Sequence, residues 1–290
     1  MALDFEYHSV EIPKEGVYKI SPSSLNKFFE CSLSWYNENV LNQEVFEGNT
    51  ASILGTVVHA CLEGYFNGNY PGEEEANKEI KNFLDTKYAD RFDIDFDLIM
   101  KNWNEMFMST IQYIDDSAGM LKPKEVETQL SFDLGDGVYV AGSADAITDE
   151  RVIDYKTVAA IRNHDDLKQY RLQLMTYAYI AIKNGYEVKK ITVIYTTVPK
   201  RDRISEKTGK ALKDYPAVTM AIEEDVTEEK LNWIEEQLMI LKDTYLLGEK
   251  DEKLRRLLYR DNINSFYHKD THMNQQIKKD SKTRLTDGFE

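Results

Sequence analysis

The chain has 290 residues, 42% of them hydrophobic and 30% charged, a composition that excludes a disordered chain and is ample for a continuous apolar core. No stretch approaches the roughly 18 uninterrupted apolar residues of a membrane span, and the N-terminus lacks the basic-then-apolar plan of a signal peptide, so the expected location is the cytoplasm, with no membrane partner. The net charge is −15, and the two cysteines, Cys31 and Cys61, are too few for a four-cysteine iron–sulfur cluster or a closed zinc site within the chain.

Residues 1–20 mix short apolar segments with Pro13 and Gly16, which predicts an extended or hairpin N-terminal arm. Ser21-Pro22-Ser23-Ser24 is a turn and N-cap signal, and Leu25, Phe28, Phe29 and Trp35 at near-helical spacing predict a first helix. From Ala51 to Phe66, apolar residues Ile53, Leu54, Val57, Val58, Cys61, Leu62 and Tyr65 recur at three and four, predicting a second helix that carries His59. Residues 71–120 are polar with helically spaced Ile80, Phe83, Leu98, Trp103, Phe107, Ile111 and Ile114, which predicts a helical insertion of two or three helices without a chemical motif.

At Val126 the pattern changes to period two. A turn at Gly135-Asp136-Gly137, a strand over Val138–Ile147, a turn at Asp149-Glu150 and a strand over Val152–Thr157 predict an antiparallel meander. Asp165 or Asp166 is placed to cap a helix running to about Lys183, where Asn184-Gly185 stops it. Ile191–Val198 is a β-branched run, Ala217–Ile222 another strand, and Thr227 opens an amphipathic helix to about Leu247. The arrangement predicts a 1–20 arm, one domain over 21–250, and a basic 251–290 tail whose last 20 or so residues have few apolar anchors and are expected to be mobile.

Basic charge is uneven. Between Lys200 and Lys213, the residues Lys200, Arg201, Arg203, Lys207, Lys210 and Lys213 face only Asp202 and Glu206, which makes them candidate phosphate contacts or, equally, solvated loop charges. From Lys250 to Glu290 there are 10 basic and 7 acidic residues.

Strand alternation puts Asp154 and Lys156 on one face, with Tyr155 on the other. Asp145, on the preceding strand of the hairpin, follows the small residues Gly142, Ser143 and Ala144 and can meet Asp154 across the meander. Two carboxylates held close raise each other's pKa unless a cation neutralises them, and oxygen donors suit magnesium or manganese. A D-x-K triplet alone is common on exposed strands, so its surroundings decide its meaning.

Those surroundings carry a resemblance. The stretch GSADAITDERVIDYKT looks like the nuclease core of the RecB-like exonuclease branch of the PD-(D/E)xK superfamily, in which a GxxD strand precedes a DYKT strand. SPSSLNKFFECSLSWY resembles the branch's opening helix, GTVVHACLE its histidine-bearing helix, and QLMTY its Q-x-x-x-Y motif, so the likeness runs from about Ser21 to Val198. It implies an α/β (α+β) restriction-endonuclease-like core, a central mixed sheet flanked by helices with an N-terminal helical portion. It further implies that Asp145 and Asp154, the main-chain carbonyl of Tyr155, and His59 bind the metal, while Lys156 acts on the attacking water. A histidine ligand predicts that Mn2+ supports activity at least as well as Mg2+. Glu127 matches an acidic residue that the branch places near the metal, with Glu125, of the same strand parity, the competing choice. Gln173 and Tyr177, four apart on a helix, would organise the site and touch the nucleic-acid backbone, while Lys200, Arg201 and Arg203 stay the DNA contacts expected from local charge alone.

The sequence lacks the extra cysteines of cluster-binding relatives and any G-x-x-x-x-G-K-[ST] loop, so no iron–sulfur cluster and no motor of its own are expected. The expected activity is metal-dependent trimming of DNA ends in recombination, repair or phage DNA metabolism. The competing expectations are a structure-selective or nonspecific endonuclease and a non-catalytic DNA-binding subunit. A recombinase, a single-strand-binding protein or a helicase are the candidate protein partners, and the oligomeric state is open.

Overall fold

The computed structural model describes residues 3–6, 10–12, 18–43, 48–160, 164–205 and 207–265. Six strands form one mixed sheet: β1 (Tyr18–Ile20), β2 (Glu125–Asp133), β3 (Val138–Ile147), β4 (Arg151–Val158), β5 (Lys190–Thr197) and β6 (Thr219–Asp225). The β2–β3–β4 meander is antiparallel, whereas β1 runs parallel to β3 and β4 parallel to β5. Helices cover both faces. On one lie α3 (Thr50–Phe66), α4 (Glu73–Lys87) and α5 (Phe96–Asp115), whose apolar sides form a core with Ala146, Ile153, Tyr155 and Ile194. On the other lie α1 (Leu25–Glu30), α2 (Ser32–Asn39), α6 (Arg171–Lys183) and α7 (Glu228–Lys250), packed on Val140, Ala144, Val152 and Val193. Among the described residues no helix is long and apolar enough to cross a membrane.

Several elements differ from expectation. The first helix is broken in two at Cys31, whose φ of −151° and ψ of 85° are extended, so that Trp35 turns into the core and donates from Nε1 to Ser24 Oγ at 3.1 Å. The 71–120 stretch holds two helices, each in a predicted place. Instead of an α-helix from Asp165 or Asp166, a 3-10 turn covers His164–Gln169 and α6 begins at Arg171. The strand expected from Ala217 starts at Thr219, because the Ala217 amide is taken by Glu105 on α5 at 2.9 Å. Past α7, a short α8 (Glu252–Leu258) folds back, and Tyr259 is buried against Trp35 and Tyr36. The last 20 or so residues, expected to be mobile, lie outside the described residues.

The feature that matters most is where β3 and β4 part. β2 pairs with β3 along nearly its whole length, so the other edge of β3 is shared: β1 takes Val138–Val140 and β4 takes only Ala146 and Ile147. Between those pairings the edge from Ala141 to Asp145 has no strand beside it among the described residues. A sheet that separates in this way leaves backbone groups and inward side chains facing a gap instead of a ladder.

Candidate active site

The gap opens into a cleft of about 820 Å³ between α3 and α6. Helix α3 is started by a capping box, in which Asn49 Oδ1 accepts from the Ser52 amide at 2.9 Å and the Asn49 amide donates to Ser52 Oγ at 2.8 Å. Its apolar side, Ile53, Leu54, Val57, Val58, Cys61 and Leu62, is buried, and Gly55 lets it approach β4, since a Cβ there would stand 3.1 Å from Thr157 Oγ1. That docking turns Ser52, Thr56, His59 and Glu63 toward the cleft.

His59 is half-buried. A carbonyl can only accept, so His59 Nε2 donates to the main-chain carbonyl of Tyr155 at 2.8 Å, which leaves Nδ1 at 3.6 Å from Asp145 Oδ2. Asp145 Oδ2 in turn accepts from the Tyr155 amide at 2.8 Å, a side chain replacing the ladder bond lost where the strands part. Both polar groups of the Tyr155 peptide unit region are thus tied to candidate site residues.

Glu127 completes the cluster. It lies between the pairs Val126–Ala146 and Thr128–Ala144, which puts it across from Asp145, and its backbone is left-handed at φ 46°. A non-glycine residue held there costs on the order of 1–3 kcal/mol, a strain typical of functional sites. Its Oε2 accepts from Ser143 Oγ at 2.8 Å. One ligand atom from each of His59, Glu127 and Asp145 lies within 4.8 Å of the others, a spacing that can hold a metal ion. Glu125 is occupied elsewhere, accepting from Tyr186 Oη at 2.7 Å.

Asp154 stands on the cleft floor, 3% exposed. Its Oδ1 accepts from Lys156 Nζ at 2.7 Å and from Gln173 Nε2 at 3.3 Å, while Oδ2 is buried with no hydrogen-bond partner among the described residues. Burial pushes the Asp154 carboxyl up to about 6, with Asp145 adding to the rise and Lys156 opposing it. For Lys156, burial works against the charge, but attraction to Asp154 and Asp145 outweighs it and holds the ammonium above its ordinary value. Lys156 therefore stays protonated at neutral pH, with Nζ 5.1 Å from the Tyr170 ring centroid.

Tyr177 is buried and packs on β3 at Gly142. A Cβ at Gly142 would lie 2.8 Å from Tyr177 Oη and 2.9 Å from Pro22 Cδ, so glycine is needed here for contact within the protein. Tyr177 and Gln173 both line the cleft. The basic residues Lys200, Arg201 and Arg203 do not line it; they sit on the connection between β5 and β6, where Arg201 pairs with Glu105. Sequence reasoning missed Ser52, Thr56, Glu63, Lys87 and Ser143 at the cleft. The signal for three of them was present: positions 52, 56, 59 and 63 form a polar stripe along an otherwise apolar helix.

The donor set fits a hard divalent cation. Carboxylates of Asp4, Glu6, Glu63, Glu127, Asp145 and Asp154 line the cleft against only Lys87 and Lys156, and Asp154 Oδ2 lacks a partner among the described residues. With Asp154 buried and the other carboxylates partly or fully exposed, this excess of negative charge would be eased, and a phosphate brought closer, by a bound cation.

In structure, the chain is similar to an exonuclease candidate from Eubacterium rectale at a TM-score of 0.50 and 15% identity, over 86% of this chain and 87% of that one. A phage-related exonuclease from Haemophilus somnus 129PT is similar at a TM-score of 0.38 and 13% identity, over 81% of this chain and 97% of that one. At 15% identity the first likeness bears on the fold alone, and no curated protein matches the chain. The family pattern of the PD-(D/E)XK nucleases matches residues 19–256, which spans both cleft walls, the parted strands and most of the two flanking layers. The chain belongs to the PD-(D/E)XK nuclease superfamily.

Proposed function

We propose that the chain is a divalent-metal-dependent deoxyribonuclease that trims DNA from its ends. The observation that carries this reading is the meeting of His59, Glu127 and Asp145 within 4.8 Å, beside a buried Asp154–Lys156 pair. An imidazole nitrogen of His59, carboxylates of Glu127, Asp145 and Asp154, and the Tyr155 carbonyl would hold magnesium or manganese. When bound, such an ion supplies Lewis acidity toward a phosphodiester oxygen and lowers the pKa of an adjacent water.

The chain's own residues do the rest. Asp154 fixes the Lys156 ammonium from one side, and Gln173 fixes Asp154 from the other, so the donor is oriented before substrate arrives. Lys156 Nζ, held by Asp154, is placed to donate to the attacking water or a phosphate oxygen and to counter developing negative charge. Tyr177, packed on Gly142, keeps α6 and with it Gln173 at a set distance from β3.

End trimming is supported by the resemblance to the RecB-like branch. A trimming product with an exposed single strand would suit a recombinase or single-strand-binding protein, and a helicase could supply the unpaired end. The reading is tested on matched linear and covalently closed circular DNA with Mg2+ or Mn2+, with Asp154→Ala as control. Loss of linear substrate from its ends, absent in the variant, is expected. Equal cutting of circles would replace trimming with endonuclease action, and equal signals from wild type and variant would leave a DNA-binding subunit.

A further inference from the structure

Between β5 and β6 the chain makes an excursion that the catalytic cleft does not use. Lys200 and Tyr215 exchange both backbone hydrogen bonds at 2.8 Å, the Leu212 amide donates to the Arg203 carbonyl at 2.8 Å, and the Ser205 amide donates to the Lys210 carbonyl at 2.8 Å. The excursion is thus a two-stranded arm. Its base is fastened to α5, where Glu105 accepts from Arg201 and from the Ala217 amide, and Lys101 pairs with Asp202 at 2.8 Å.

The arm borders a second cleft of about 590 Å³ floored by Val198, Val218, Met220 and Ile222, with Lys200 and Arg203 on its wall. Tyr215 lines it and is 50% exposed. The Arg203 guanidinium carbon lies 5.8 Å from the Tyr215 ring centroid, and Lys213 Nζ lies 5.6 Å from it. Arg203 Nε has no hydrogen-bond partner, and Lys200, Arg203 and Lys213 make no ion pair with a carboxylate, among the described residues. In a chain of net charge −15, this ring stands beside cations that pair with no carboxylate among the described residues, over an apolar floor.

We infer that this arm is a docking platform for an unpaired stretch of DNA, with a base stacked at Tyr215 and backbone phosphates on Lys200, Arg203 and Lys213. The inference rests on the nuclease reading above and gives it a substrate class: a single strand or a single-stranded overhang. The ring and apolar floor match the flat face of a base, which a duplex hides in its stack; the cations match the phosphates between. A duplex would use the charges and leave the floor bare. The platform also lies within reach of the candidate active site. On β4, Asp154, Lys156 and Thr157 line the first cleft, while Ala159 and Ala160, just past its end, line the second. Lys156 to Ala159 spans about 10 Å of extended chain, so one short strand can occupy both.

The test is fluorescence anisotropy of the full chain in EDTA with labelled oligothymidylate and with the same oligomer paired to oligoadenylate. Tighter binding of the single strand is expected. Tyr215→Ala should weaken it about tenfold, with Tyr215→Phe close to wild type. Lys200→Ala and Lys213→Ala should each lower the slope of log affinity against log salt by about 0.7. The platform is overturned if Tyr215→Ala, folded by its thermal melt, binds the single strand as wild type does, or if duplex is preferred. Since no hydrolysis is measured, the two readings fail separately. A protein that binds in this way but does not cut contradicts the nuclease activity, and one that cuts but is indifferent to Tyr215 contradicts the platform.

Discussion

Asp145 reaches across the parting of β3 and β4 to accept a hydrogen bond from the Tyr155 amide at 2.8 Å. The same carboxylate faces His59 and Glu127, so one residue both closes the backbone of the gap and supplies a donor to the candidate metal centre. The two duties can be separated. Asp145→Ala should lose DNA cleavage and also destabilise the fold by about 1–3 kcal/mol, because the Tyr155 amide is left without an acceptor. Asp145→Asn keeps an oxygen there and should lose cleavage with much less loss of stability. Urea denaturation alongside an end-label assay checks both.

Asp154 gives a pH dependence. Burial raises its carboxyl from the ordinary 3.8 to about 6, so the stability associated with its protonated form is full below about pH 4 and is lost as pH rises toward 6. In EDTA, Asp154→Asn should therefore match wild type near pH 4 and be the more stable of the two at pH 7.5. Thermal melts at the two pH values measure it. A variant that is more stable yet inactive would mark Asp154 as a residue kept at a cost to the fold.

Glu127 stores backbone strain at φ 46°. Glu127→Gly should relieve it and stabilise the metal-free protein by about 1 kcal/mol while weakening Mn2+ binding. Calorimetric titration with Mn2+, together with unfolding in EDTA, separates the two effects; Glu127→Gln should weaken the metal without the gain in stability.

Gly142→Ala places a Cβ against Tyr177 Oη and Pro22 Cδ, both under 3.0 Å. A loss of about 1–3 kcal/mol is expected. Reduced cleavage should accompany it, since Tyr177 and Gln173 share α6 and Gln173 holds Asp154. Adding Tyr177→Phe removes one of the two clashes and should recover part of the stability.

What was legible in the sequence follows the range of the forces involved. Asp154 and Lys156 share a strand face because alternation is local, and the three-and-four spacing of Ile53 through Leu62 is enough to place His59 on a helix with one buried side. The parting of the strands is not local. It depends on β1, three residues long and more than 100 positions away, taking the edge of β3 that β4 leaves. Glu125 and Glu127 have equal parity, and only the left-handed turn of the backbone at Glu127 separates them. Arg201 reads as a free cation in a basic run, yet Glu105 on α5 neutralises it. Cys31 breaks a helix that its neighbours would continue, because Trp35 gains a buried place beside Ser24.

Anomalous diffraction from crystals soaked in Mn2+ tests the central claim most directly. A manganese peak is predicted in the gap between β3 and β4, within bonding distance of ligands drawn from His59, Glu127, Asp145, Asp154 and the Tyr155 carbonyl, and absent from Asp145→Ala crystals. Strong manganese peaks elsewhere on the protein with none in that gap would contradict it.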